Sequence, residues 1–271
     1  MSNESSHDVN GVTLCAETFG DPADPAILLI HGACASMLWW EEELCRRIAA
    51  AGRYVIRYDQ RDTGRSTSFP PGAPGYGLRD LAADAVGLLD ALGVDRAHVV
   101  GRSMSGGVAL VLGIDYPQRV RSLTLVSTTT GELPMGGLDV PPDPDPDDPA
   151  AVVEYLVAVM RAYAGSSPHF DEDATRAIAA ADVARTRDLR AALGNHFAMD
   201  FDGPRNGEWS DLRVPTLVVQ GELDPVFPSA HGRALRDAVP GSRLVVLPQS
   251  GHDMLAPTWD TFVRALAELT A

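Results

Sequence analysis

The chain is predicted to fold as an α/β protein on a mostly parallel, doubly wound sheet, and three observations predict it. Short apolar, β-branched runs alternate with amphipathic helical stretches over most of the length. The run Ala26-Ile27-Leu28-Leu29-Ile30 is apolar throughout, as a strand covered on both faces must be. Several such runs end on loops rich in Gly, Ser, Asp and His, and ligands of doubly wound sheets bind beyond the carboxyl ends of their strands.

The elements follow in order. Residues 12–17 alternate as a half-exposed strand does, and Gly20-Asp21-Pro22 turns the chain. After the buried strand 26–30 come a helical stretch over 38–50 and a strand over 54–58. Leu78, Leu81, Ala82, Ala85, Leu88, Leu89 and Leu92 then repeat at helical spacing until Gly93. A strand over 97–101 leads into a helix over 108–116, and a strand over 123–126 follows. The alternation resumes with strands at 215–219 and 244–247 around a helix at 230–238, and a helix near 258–269 ends it.

Between 131 and 210 the alternation breaks. Residues 138–149 are too rich in Pro and Asp to pack and are expected to form a mobile connection. Helices are expected over 150–163, 171–184 and 186–199. The organisation predicted is a core of 1–130 and 211–271 carrying a helical cap, or lid, of 131–210 that selects substrates and excludes water.

Composition narrows the function. The 22 Lys and Arg face 37 Asp and Glu for a formal charge of −15, which repels nucleic acid and anionic membrane surfaces. No apolar run reaches transmembrane length, and the polar stretch 1–8 has no leader-like core. The three cysteines, Cys15, Cys34 and Cys45, have neither paired nor metal-ligand spacing and suit a reducing cytoplasm. No metal and no cofactor is expected. The expected partner is a small-molecule substrate, with the chain acting as a monomer or homodimer.

The chemistry is carried by Gly101-Arg102-Ser103-Met104-Ser105-Gly106, where a strand passes straight into a helix. A serine on so sharp a turn needs small residues two positions away on each side. A serine hydroxyl also needs a base, and the base needs a carboxylate to fix its tautomer. Asp224 follows the strand 215–219 in Gly221-Glu222-Leu223-Asp224-Pro225, and His252 follows the strand 244–247 in Ser250-Gly251-His252. Ser103, Asp224 and His252 are therefore the candidate catalytic residues, in the chain order Ser, Asp, His. An oxyanion hole needs two backbone N–H groups. Met104 supplies one at a helix start, and Ala33 in His31-Gly32-Ala33-Cys34 is assigned the other. Ser103 is preferred to Ser105 as nucleophile because Ser105 would lie inside the helix.

Other residues are weaker candidates. Trp39 and Trp40 follow the oxyanion loop, with one expected in the core and the other at the pocket. Ser105, His196 and Phe197 are candidate substrate contacts. Asp59, Arg61, Asp62 and Arg65 are expected to form an ion-pair and turn network that fixes a loop.

Together these residues resemble the α/β-hydrolase family over nearly the full length. His31-Gly32, Gly101-x-Ser103-x-Ser105-Gly106, Gly221-x-x-Asp224 and Gly251-His252 fall in register, and residues 57–67 resemble the family's Asp-x-Arg-Gly-x-Gly-x-Ser loop. The wording Arg61-Asp62-Thr63-Gly64-Arg65-Ser66-Thr67 is similar to that of actinobacterial methyl esterases acting on anthracycline polyketides, of the aclacinomycin type. One departure is Ser105, where the family usually has Gly. The resemblance implies a serine hydrolase of a small alkyl ester or lactone. Cofactor-free perhydrolases (haloperoxidase-like) and carbon–carbon bond hydrolases share the triad, and a ligand-binding pseudo-hydrolase or receptor stays open as a different class.

Overall fold

The structure is a computed structural model that describes residues 4–271; residues 1–3, the first part of the polar stretch 1–8, lie outside the described residues. The strands β1 (Ser5–Val9), β2 (Val12–Phe19), β3 (Ala26–Ile30), β4 (Tyr54–Tyr58), β5 (Ala97–Arg102), β6 (Val120–Val126), β7 (Thr216–Gly221) and β8 (Arg243–Leu247) form one sheet. Its spatial order is β1-β2-β4-β3-β5-β6-β7-β8. β2 runs antiparallel to β1 and β4, and every pairing from β4 to β8 is parallel.

Strand periodicity explains why helices cover both faces. Leu28 and Ile30 of β3 point into one apolar cluster with Leu81, Ala85 and Val108, whereas Ile27 and Leu29 point into a second with Leu44, Ile48 and Phe262. The first face is covered by α2 (Leu78–Ala91) and α3 (Ser105–Asp115), and the second by α1 (Glu42–Ala50) and α8 (Trp259–Leu269). α3 is apolar almost all round, as a helix against the middle of the sheet must be. α7 (Ala230–Ala238) lies between β7 and β8 in the chain and buries Leu235.

Two differences from the sequence reading have local causes. The hairpin strand β1 is polar and mostly exposed, so apolar periodicity misses it. Its signal is Asn10-Gly11, both with positive φ (48° and 77°), a tight hairpin turn. The elbow helix begins at Ser105, as the expected place of that residue inside the helix required, so the stretch 108–116 marks only the apolar part: Gly106 and Gly107 give no helical signal.

Between β6 and β7 the chain leaves the sheet. No helix or strand occurs over 127–148. Then α4 (Pro149–Ala164), α5 (Glu172–Arg185) and α6 (Leu189–Ala198) follow. Each starts at an aspartate, Asp148, Asp171 or Asp188, whose side chain accepts from backbone N–H groups of the first turn. The tail of the Pro/Asp-rich run thus serves as the cap and first residue of α4.

Candidate active site

Ser103 sits between β5 and α3 with φ of 51°, a left-handed conformation unusual for a residue with a side chain. The end of β6 holds it there. Its N–H donates to the Val126 carbonyl at 2.9 Å, and its own carbonyl accepts from Thr128 Oγ1 at 2.7 Å. A Cβ at Gly101 would stand 2.3 Å from the Ser105 carbonyl, and one at Gly32 would stand 2.9 Å from Ser103 Cβ. Glycine at these positions lets the strand, the elbow and the loop after β3 close on one another.

The loops after β7 and β8 bring Asp224 and His252 to this serine. His252 Nε2 lies 3.0 Å from Ser103 Oγ, and Nδ1 lies 3.0 Å from Asp224 Oδ2 and 3.2 Å from Oδ1. Facing a carboxylate, Nδ1 carries the proton, which leaves Nε2 free to accept the serine hydroxyl proton. Asp224 Oδ1 also accepts from the N–H groups of Val226 and Phe227, each at 2.9 Å, and Oδ2 from Gln220 Nε2 at 3.0 Å. The imidazole is held edge-on between Tyr163 and Phe227, with ring centroids 5.0 and 5.5 Å away. Its backbone N–H donates to the Tyr163 carbonyl at 2.8 Å, so α4 is tied to His252.

Ala33 and Met104 both border the cavity above Ser103. Among the described residues neither backbone N–H has a hydrogen-bond partner within the protein. Met104 stands at the N-terminus of α3, where the helix dipole favours negative charge. The cavity has a volume of about 490 Å³. Leu78, Leu110, Met160, Trp209, Val226 and Phe227 give it an apolar wall. Met135, Phe197 and Phe201 also line it and are each more than half exposed, forming its rim.

Of the five candidate substrate contacts, the structure brings only Phe197 to this cavity. Trp40 is buried in the core beneath α1. Trp39 donates its indole N–H to Asp182 of α5 at 2.7 Å, so neither tryptophan reaches the pocket. Ser105 is also buried, and its hydroxyl donates to the His31 carbonyl at 2.5 Å instead of approaching substrate. His196 is buried too. Its Nδ1 accepts from the Cys34 N–H at 2.9 Å and its Nε2 donates to the Arg61 carbonyl at 2.9 Å, so α6 braces the loop that carries Ala33 from behind. Burial holds the His196 pKa below the usual histidine range, which keeps Nδ1 available as an acceptor.

The polar loop after β4 is a brace of the same kind. Asp59 accepts from the N–H groups of Met37 and Arg65, each at 2.9 Å, and Asp62 accepts from Tyr76 at 2.6 Å. Arg61 pairs with Asp84. Among the described residues no group of three or more His, Cys, Asp or Glu could hold a metal ion. Sequence reasoning overlooked Tyr163 and Phe227, which wall the imidazole. Phe227, three residues beyond Asp224, carried a signal in its spacing, whereas Tyr163 lay in a helix with no motif.

Residues 25–256 match the family defined by the alpha/beta hydrolase fold. The chain belongs to that family. Two curated relatives of this hydrolase are rhodomycin D methylesterases, DauP of Streptomyces sp. (strain C5) and DnrP of Streptomyces peucetius. Each is 36% identical, across 96% of this chain and 95% of the relative. Among solved structures, the enol-lactonase from Burkholderia xenovorans superposes with a TM-score of 0.77 at 23% identity, covering 98% of this chain and 99% of that one. That likeness concerns the fold alone.

Proposed function

We propose that this hydrolase cleaves a carboxylic ester, a small alkyl ester or a lactone, through an acyl-enzyme on Ser103. The carrying observation is the unbroken contact chain Ser103–His252–Asp224 beside two unpartnered N–H groups in an apolar cavity.

Ser103 Oγ attacks the ester carbonyl carbon while its proton passes to His252 Nε2. Asp224 stabilises the resulting imidazolium and holds its orientation. The carbonyl oxygen becomes an oxyanion between the N–H groups of Ala33 and Met104. Collapse breaks the ester C–O bond, and the alkoxide leaves with the proton from His252. Water then gives its proton to His252 and attacks the acyl carbon, releasing the acid and restoring Ser103.

The 36% identity to rhodomycin D methylesterases supports a small alcohol as the leaving group. The apolar wall supports an acyl part of low polarity. Segment 131–210 acts as the cap in this reading, supported by Met160, Tyr163, Phe197 and Phe201 in the cavity wall. Three free cysteines favour a reducing cytoplasm as its location.

A fluorophosphonate probe should label the wild-type chain at Ser103 and leave Ser103→Ala unlabelled. Turnover of p-nitrophenyl acetate should fall ~10⁴-fold or more in that variant. A folded wild-type chain that stays unlabelled and inert overturns the proposal and favours a receptor that kept a hydrolase pocket.

A further inference from the structure

One charged side chain beside the nucleophile has no part in the steps above. Arg102 ends β5 immediately before Ser103, and its side chain is only 4% exposed. A guanidinium that deep is retained only against strong compensation. Its Nη1 bonds His31 Nε2 at 2.9 Å, and its Nη2 donates to the His252 carbonyl at 3.0 Å and to the Asp253 carboxylate. Burial and the neighbouring Arg102 charge push the His31 pKa well below the usual histidine range, so His31 is the neutral acceptor this bond requires. The His31 carbonyl is in turn held by Gln60 and Ser105.

Three segments therefore meet at one guanidinium: the loop carrying Ala33, the elbow carrying Ser103 and the loop carrying His252. We propose that Arg102 is a positioning residue that fixes the general base relative to the oxyanion loop, and that its pairing with Asp253 keeps either charge from acting alone on His252. The inference rests on the Ser103–His252–Asp224 reading above. A planar fork with two Nη groups can serve both loops at once; a lysine ammonium cannot span them in this way.

The electrostatic part follows from what faces His252. Asp224 comes from the loop after β7, and Tyr163 comes from α4 with its phenol pushed up to about 12 by burial and the nearby Asp253 charge, hence neutral. His31, from the loop after β3, is neutral as well. Arg102 from β5 and Asp253 on the base's own loop remain, one cation and one carboxylate joined to each other. Removing the cation leaves the Asp253 carboxylate uncompensated one residue from His252, which favours imidazolium. Removing the carboxylate does the opposite.

The test compares wild type, Arg102→Lys, Arg102→Met, Asp253→Asn and the double variant Arg102→Met/Asp253→Asn on p-nitrophenyl acetate. Arg102→Lys should lose ~10–100-fold in kcat with KM changed less than about 2-fold, as a small misplacement of base and oxyanion donors would produce. The acid limb of the kcat/KM–pH profile should move up by roughly 0.5–1 pH unit in Arg102→Met and down by a similar amount in Asp253→Asn. The double variant should recover the wild-type limb while kcat stays low. A limb unmoved in Asp253→Asn overturns the inference, and that variant decides alone if Arg102→Met does not fold. Losses that merely track unfolding, with no opposed shifts, overturn it too. A folded wild-type chain that fluorophosphonate does not label overturns both the triad reading and this inference, whereas a labelled wild type without the shifts overturns this inference alone.

Discussion

Asp224 carries more than one duty, and its substitution separates them. Its Oδ1 caps the N–H groups of Val226 and Phe227, while Oδ2 takes the Gln220 amide and both oxygens face His252 Nδ1. In Asp224→Asn, Oδ1 keeps the two backbone bonds and the new amide N–H₂ faces Gln220 and His252. Gln220 Nε2 also donates to the Phe227 carbonyl at 2.8 Å, so the Gln220 amide cannot turn over without facing that carbonyl, and two N–H₂ groups meet in the variant. His252 must then accept at Nδ1, which puts its proton on Nε2, the wrong tautomer for a base. The expected result is a ~10³–10⁴-fold fall in kcat, with urea stability lower by about 1–3 kcal/mol for the buried donor left without an acceptor. A variant that keeps most of its activity contradicts the orienting role. The meeting of Ser103, Asp224 and His252 was legible because each follows, within one to five residues, a strand whose apolar run announces it. Ser105 and His196 were misjudged for a different reason. Nearness in sequence to the site does not say where a side chain points, and the helix register turns both inward as braces. Arg102 went unread because a residue inside a motif's variable position gives no signal until the loops it joins are seen together.

The helical segment between β6 and β7 is fastened to the core on one side by buried polar contacts. Arg185 at the end of α5 is 6% exposed and pairs with Asp59 at 2.8 Å and Glu4 at 3.1 Å. Trp39 reaches Asp182 on the same helix, and His196 on α6 grips the loop that carries Ala33. The three helices were expected within a few residues of where they stand, although their aspartate caps were not read. Their docking was not legible, because it depends on charged residues more than a hundred positions apart in the chain. Breaking one partner of a buried pair leaves the other desolvated and uncompensated. Arg185→Met should therefore cost about 3–5 kcal/mol in urea unfolding. A loss below about 1 kcal/mol in this variant would mean that solvent reaches the pair and that α5 is held mainly by its apolar contacts.

Over the whole molecule, the alternation of strand residues between two apolar clusters is what the uninterrupted run 26–30 foretold. The edge hairpin escaped because an exposed strand needs no apolar pattern. The same two-sided burial encloses three histidines in environments that disfavour their charged form. The His98 pKa falls to about 4, chiefly by burial and then by the nearby arginines, while those of His31 and His196 lie below the usual range mainly because of burial. A base whose folded pKa is depressed binds its proton preferentially in the unfolded chain. Its contribution to stability is intact above about pH 6.5 and is lost as pH falls from there toward the folded value. For His98 that window runs down to about 4. Each such histidine steepens the loss by at most about 1.4 kcal/mol per pH unit. The formal charge of −15 acts in the other direction, because protonating carboxylates relieves self-repulsion. Comparison of wild type with His98→Asn isolates the histidine contribution, since the carboxylates are common to both. Urea midpoints measured from pH 8 to pH 4.5 should fall more steeply in wild type than in the variant, with the two curves converging in slope above pH 7. Parallel curves through the whole range would show that His98 protonates as easily folded as unfolded.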